Sequence, residues 1–138
     1  MPLTLTLTAG VLPAGQEKVA FNRLCEALLK WTGLTGNRFM MPNVIGSIHV
    51  VAPEHTFSGS TEVPVVFVEW KLPPIALTDR EVQIGYIAEA TQIIHEMSGG
   101  RQPKDRIWVN VVHAVEGTWG IAGHAMTSAE LGEAIGKG

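Results

Sequence analysis

An offset of 62 residues lays one strand–helix–strand pattern in this chain over a second one, with Pro2 falling on Pro64, Leu3 on Val65 and Leu5 on Phe67. In the first half, Leu3, Leu5 and Leu7 alternate with Thr4, Thr6 and Thr8, a period of two that reads as a strand with one buried face. From about Pro13 to Thr32 the apolar positions Val19, Ala20, Leu24, Ala27, Leu28 and Trp31 recur at three- and four-residue steps, which predicts an amphipathic helix stopped by Gly33 and Gly36. Ile45 to Val51 reads as the next strand, and Ala52 to Glu62 as a loop. In the second half, Val63 to Trp70 is nearly all apolar and reads as a strand covered on both faces. Thr78-Asp79-Arg80-Glu81 has the spacing of a capping box and predicts a second helix, with Val82, Ile84, Ile87, Ala88, Ile94 and Met97 on its buried side. Ser98-Gly99-Gly100 ends that helix, and Ile107 to His113 is a strand. A short helical stretch is expected near Ser128 to Ile135.

Side-chain identity across the halves is poor, so the repeat is one of architecture. The fold class it predicts is α+β: a duplicated β-α-β chain forming a four-stranded sheet with two helices on one face, because parallel crossovers are right-handed. The 138 residues form one domain, 1–138, with half-repeats of about 2–52 and 64–113 and a tail over 114–138. The other face of such a sheet must be covered. Charged residues are only 17% of the chain, against roughly 25% in an ordinary soluble domain, and buried subunit interface accounts for both observations. A formal net charge of −3 argues against a nucleic-acid partner or an anionic membrane surface. Cys25 is the single cysteine, so no internal disulfide forms, and no Cys/His spacing suggests zinc. No apolar run approaches a membrane span, and the expected location is the cytoplasm.

Proline directly after the initiator methionine, on a strand inside a duplicated β-α-β chain, resembles the tautomerase superfamily. So do Ser47 to Pro64, read as SIHVVAPEHTFSGSTEVP, and Asp105 to Val112, read as DRIWVNVV. These stretches look like the macrophage migration inhibitory factor group. Length and the Trp-Gly tail look equally like the cis-3-chloroacrylate dehalogenase and malonate semialdehyde decarboxylase groups. The resemblance covers most of the chain. It implies a homotrimer with its sheets as the inner wall, a small organic acid as substrate, no cofactor, and an amino-terminal proline exposed by methionine removal as the catalytic group. The substrate-binding arginines of the dehalogenase-like groups match positions near Pro73 to Leu77, where this chain has only Pro, Ile, Ala and Leu, with Lys71 the nearest cation. The lysine after the first helix in the migration inhibitory factor group matches Leu34, close to Arg38, and that group's asparagine matches Asn110.

A free Pro2 amine titrates near ~8 in water. Walls such as Phe39, Trp108 or Trp119 desolvate the charged form and lower that value, which leaves a neutral base. Such a base moves a proton from a carbon beside a carbonyl and returns it elsewhere, which is keto–enol tautomerisation. Lys71, Arg38 and Asn110 are the donors available to a carboxylate or enolate oxygen. The five histidines have no metal-site spacing. His113 and His124 are pocket or loop residues, Trp119 and Ile121 a pocket wall or a subunit contact, and Glu116 a weak acid candidate. Two alternatives stay open beside the tautomerase: a related decarboxylase or dehalogenase-type lyase, and a trimeric binding protein of the same fold without catalysis.

Overall fold

In the computed structural model, which describes residues 1–138, the alternating amino terminus forms β1 (Pro2–Thr8), with Leu3, Leu5 and Leu7 buried and Thr4 and Thr6 on the other face. Helix α1 (Glu17–Trp31) leads back to β2 (Ile45–Val51), which pairs parallel with β1. The segment read as a loop holds a small hairpin, β3 (Phe57–Ser58) with β4 (Thr61–Glu62). Strand β5 (Val66–Leu72) then runs antiparallel to β1, and α2 (Arg80–Met97) carries the chain to β6 (Ile107–His113), parallel to β5. The sheet order is β2-β1-β5-β6. This is the duplicated architecture expected from the offset. The tail adds a hairpin, β7 (Trp119–Ile121) with β8 (His124–Met126), and α3 (Ser128–Gly136).

Both long helices lie on one face of the sheet. Ala20, Leu24 and Leu28 of α1 and Tyr86, Ala90 and Ile94 of α2 are buried with Leu3, Leu5, Val66, Val68, Trp70 and Leu72. One polar chain crosses this core: the Trp70 indole N–H donates to the Tyr86 hydroxyl at 2.6 Å, and that hydroxyl donates to the Leu24 carbonyl at 3.4 Å. Sheet, α2 and α1 are thereby joined, with the Trp70 N–H and the Tyr86 hydroxyl both satisfied. The helices approach closely at Gly85, where a Cβ would lie 2.2 Å from the Trp31 ring.

Several local expectations need correction. Val19, Ile84 and Ile87 face outward, and Tyr86 and Ile93 take the buried positions of α2. The helix cap is Asp79, whose carboxylate accepts from the Glu81 and Val82 amides, so Thr78 lies one residue outside the helix start. Strand β5 begins at Val66 and only one of its faces is covered within the chain: Glu69 and Lys71 are exposed. The uncovered face also carries Trp108 and Val112, 58% and 64% exposed.

Candidate active site

Register brings the amino end of β1 to the carboxyl ends of β5 and β6. Pro2 pairs with Ile45 on one side, and Lys71 pairs with Val112 on the other. The β1–β5 register runs through Leu3–Trp70, so one further step sets Pro2 across from Lys71. Ile45, Pro2, Lys71 and Val112 therefore form a row across all four strands, on the face away from the helices, and all four line one cavity of about 470 Å³. Thr118 to Ala122, at and around β7, close its side. The turn from β7 to β8 has left-handed backbone at Ala122 (φ 52°) and Gly123 (φ 82°), the geometry of a tight two-residue hairpin.

Met1 sits at the rear of this cavity and is 4% exposed. Its amine donates to the Asn43 carbonyl. Burial disfavours the charged amine and lowers its pKa from 8.0 to about 6. The nearby Cys25 thiol is pushed up to about 12, chiefly by burial, and so stays protonated. Lys71 is the only lysine or arginine in the lining, and the remaining wall is largely carbon.

Of the residues singled out in the sequence, Pro2, Lys71, Trp119 and Ile121 come together here, and His124 lies outside the lining. Trp119 is 9% exposed, and its indole N–H has no partner within the chain. His113 also lines the cavity, its Nε2 2.7 Å from the Ala76 carbonyl oxygen. Arg38, Phe39, Trp108 and Asn110 are not part of this lining. Arg38 lies in the turn before Met41–Asn43, Trp108 stands on the uncovered sheet face, and Asn110 borders a separate shallow pocket with Arg80 and Gln83. Glu116 accepts from the Ser128 amide and hydroxyl at the start of α3, which holds its carboxyl below the usual range. It is a helix partner and is absent from the cavity wall. Asn43, Ile45 and Val112 were not singled out: strand register reveals Ile45 and Val112, and the bond from the Met1 amine reveals Asn43. No group of three or more His, Cys, Asp and Glu is placed to hold a metal, and no helix is long and apolar enough to cross a membrane.

No protein-family model matches the sequence, and no curated protein matches it. Solved structures do. The structure of Pt0534 inactivated by 2-oxo-3-pentynoate superposes with a TM-score of 0.74 at 18% identity, covering 96% of this chain and 99% of that one. A wild-type fused 4-OT symmetric trimer gives 0.74 at 13% identity, with the same coverage of 96% and 99%. N1, a member of the cis-3-chloroacrylic acid dehalogenase family, gives 0.71 at 12% identity over 99% of both chains. The fold implied by the resemblance to the tautomerase superfamily is thus the fold observed, over nearly the whole length of the chain.

Proposed function

We propose that the protein is a keto–enol tautomerase acting on a small oxo or enol acid, with Pro2 as general base once Met1 is removed. The observation that carries this reading is the meeting of Pro2 and Lys71 in one largely apolar cavity, at a chain end whose amine is already desolvated. With Met1 gone, Pro2 is a secondary amine against the largely apolar cavity wall, where desolvation favours the neutral form that can take a proton from a carbon beside a carbonyl. The Lys71 ammonium holds the carboxylate or the developing enolate oxygen, a role whose loss costs ~3 kcal/mol in the barrier. The proton then returns to another atom of the substrate.

The same reading includes a homotrimer. It is supported by the exposed Trp108 and Val112 on the uncovered sheet face and by the symmetric trimer of the fused 4-OT structure. A trimer also gives Arg38, Trp108 and Asn110 the opportunity to serve a neighbouring subunit's site. The test uses untagged protein, with Met1 loss verified by intact mass and assayed on phenylpyruvate-like and dienol acids. Turnover by the processed chain and none by the Met1-retaining chain is expected. Equal rates in the two would make Pro2 structural.

A trimeric binding protein without catalysis is the second reading. It is favoured by the close fit of Met1, whose side chain is buried and whose amine is bonded to Asn43. Full-length mass in the protein as the cell makes it supports this alternative.

A further inference from the structure

A second cavity, of about 280 Å³, lies on the helix side of the sheet end, walled by Leu34, Met40, Ile75, Leu77, Val82 and Ile135. Met1 is the one residue that lines both this cavity and the one holding Pro2 and Lys71. Odd-numbered residues of β1 point to the helices and even-numbered ones to the uncovered face, so Met1 is turned inward where Pro2 is turned outward. The Met1 side chain thereby stands between the two spaces. A second link borders them: His113 of the front wall meets Ala76 of the rear wall at 2.7 Å.

Of the polar side chains in this wall, Thr32 and Asp79 are bonded within the chain and Thr78 is exposed. The Thr32 hydroxyl donates to the Leu28 carbonyl at 2.7 Å, and the Asp79 carboxylate caps α2. Apart from Thr78, what remains open to an occupant is carbon, which suits an apolar group. Leu77 holds a left-handed backbone (φ 53°) with its side chain buried in this wall. A non-glycine residue is disfavoured in that conformation, so the wall is kept against local preference.

We propose that removal of Met1 joins the two cavities into one elongated pocket, and that the substrate is a monocarboxylic oxo or enol acid with a long apolar tail. The head meets Pro2 and Lys71, and the tail runs through the space Met1 vacates, between Leu34, Ile75, Leu77 and Val82. A single cation at the head selects one carboxylate. The identification of the head group rests on the tautomerase reading, whereas the joined pocket is a matter of shape and can be tested by binding alone.

The experiment is calorimetric titration with straight-chain carboxylates from butanoate to decanoate. One sample is processed protein, made with excess methionine aminopeptidase. The other keeps Met1 because that enzyme is inhibited during expression. A fully buried methylene contributes ~0.8 kcal/mol, so affinity for the processed protein should rise roughly fourfold per added CH₂. The Met1-retaining protein should show little gain with length. Val82→Phe, which fills the rear space, should flatten the processed series, with circular dichroism checking its fold. Steep series in both samples, or flat series in both, overturn the proposal. Processed protein that binds long chains steeply yet turns over no oxo acid defeats the tautomerase reading and leaves the pocket standing. Turnover of short acids with a flat binding series does the reverse.

Discussion

Trp70 of β5 donates its indole N–H to the hydroxyl of Tyr86 on α2 at 2.6 Å, inside the layer where sheet meets helices. Tyr86 is fully buried, and burial raises its pKa so that the hydroxyl stays protonated and can donate onward to Leu24. Tyr86→Phe keeps the ring and removes the acceptor. The Trp70 N–H is then left buried without a partner, at a cost of ~1–3 kcal/mol. Urea unfolding of Tyr86→Phe should show that loss with an unchanged dependence on denaturant.

The α1–α2 contact is set by the missing side chain of Gly85 against Trp31. Gly85→Ala puts a methyl into the indole ring. Trp31 also donates to Glu89 at 3.0 Å, so moving the ring disturbs a second contact. Overpacking of this kind costs ~1–3 kcal/mol, outweighing the better helix propensity of alanine. A melting temperature equal to or above that of the parent would contradict the close packing described.

The terminal amine gives two pH dependences. In the Met1-retaining chain the folded amine has a pKa of about 6 against 8.0 for the exposed group. The unfolded chain therefore binds the proton at higher pH, and stability rises from pH 6 to 8 and is lost as pH falls through about 6. Urea midpoints across this range should follow that rise. In the processed chain, kcat/KM should climb with pH as Pro2 deprotonates, with a midpoint below ~8. A rate that falls over the same interval would remove Pro2 as the base.

Lys71→Ala takes the only lysine or arginine from the cavity. A charged hydrogen bond is worth ~1.5–3 kcal/mol, so kcat/KM for an anionic substrate should fall roughly tenfold to a hundredfold. Arg38→Ala should weaken turnover less, since Arg38 lies outside this lining. The reverse ranking would move the anion site to the turn before β2.

Much of this was legible in the sequence because period and punctuation agree. The alternation of β1 and the apolar run of β6 fall where the structure has them, and the repeated pattern gives the duplicated layout, although β5 begins at Val66, so Pro64 precedes the strand and is not the counterpart of Pro2 on it. The second helix was harder. Ile84 and Ile87 are as apolar as core residues, and nothing local shows that Tyr86, beside the gap at Gly85, takes the inner face. The β7–β8 hairpin was hidden because Ala122 occupies a left-handed position where Gly or Asn is the usual signal. At the site, Pro2 and Lys71 could be picked out by their chemistry. The row from Ile45 to Val112 depends on the register of three strand pairings, which no local pattern encodes.

The central strands run in opposite directions, and each carries its parallel partner on the outside. Half a turn about an axis through the middle of the sheet therefore exchanges one half of the chain for the other. That rotation carries the Pro2 end of the sheet onto the opposite end, where Pro64 precedes β5 and the Thr8 amide donates to the Val65 carbonyl at 3.1 Å. The two ends match in outline and differ in valence. Processing can free the nitrogen of Pro2, whereas the nitrogen of Pro64 is locked in an internal amide. An electrophile directed at a neutral amine should accordingly saturate at one equivalent per processed chain, with half of the sheet ends in any assembly chemically silent.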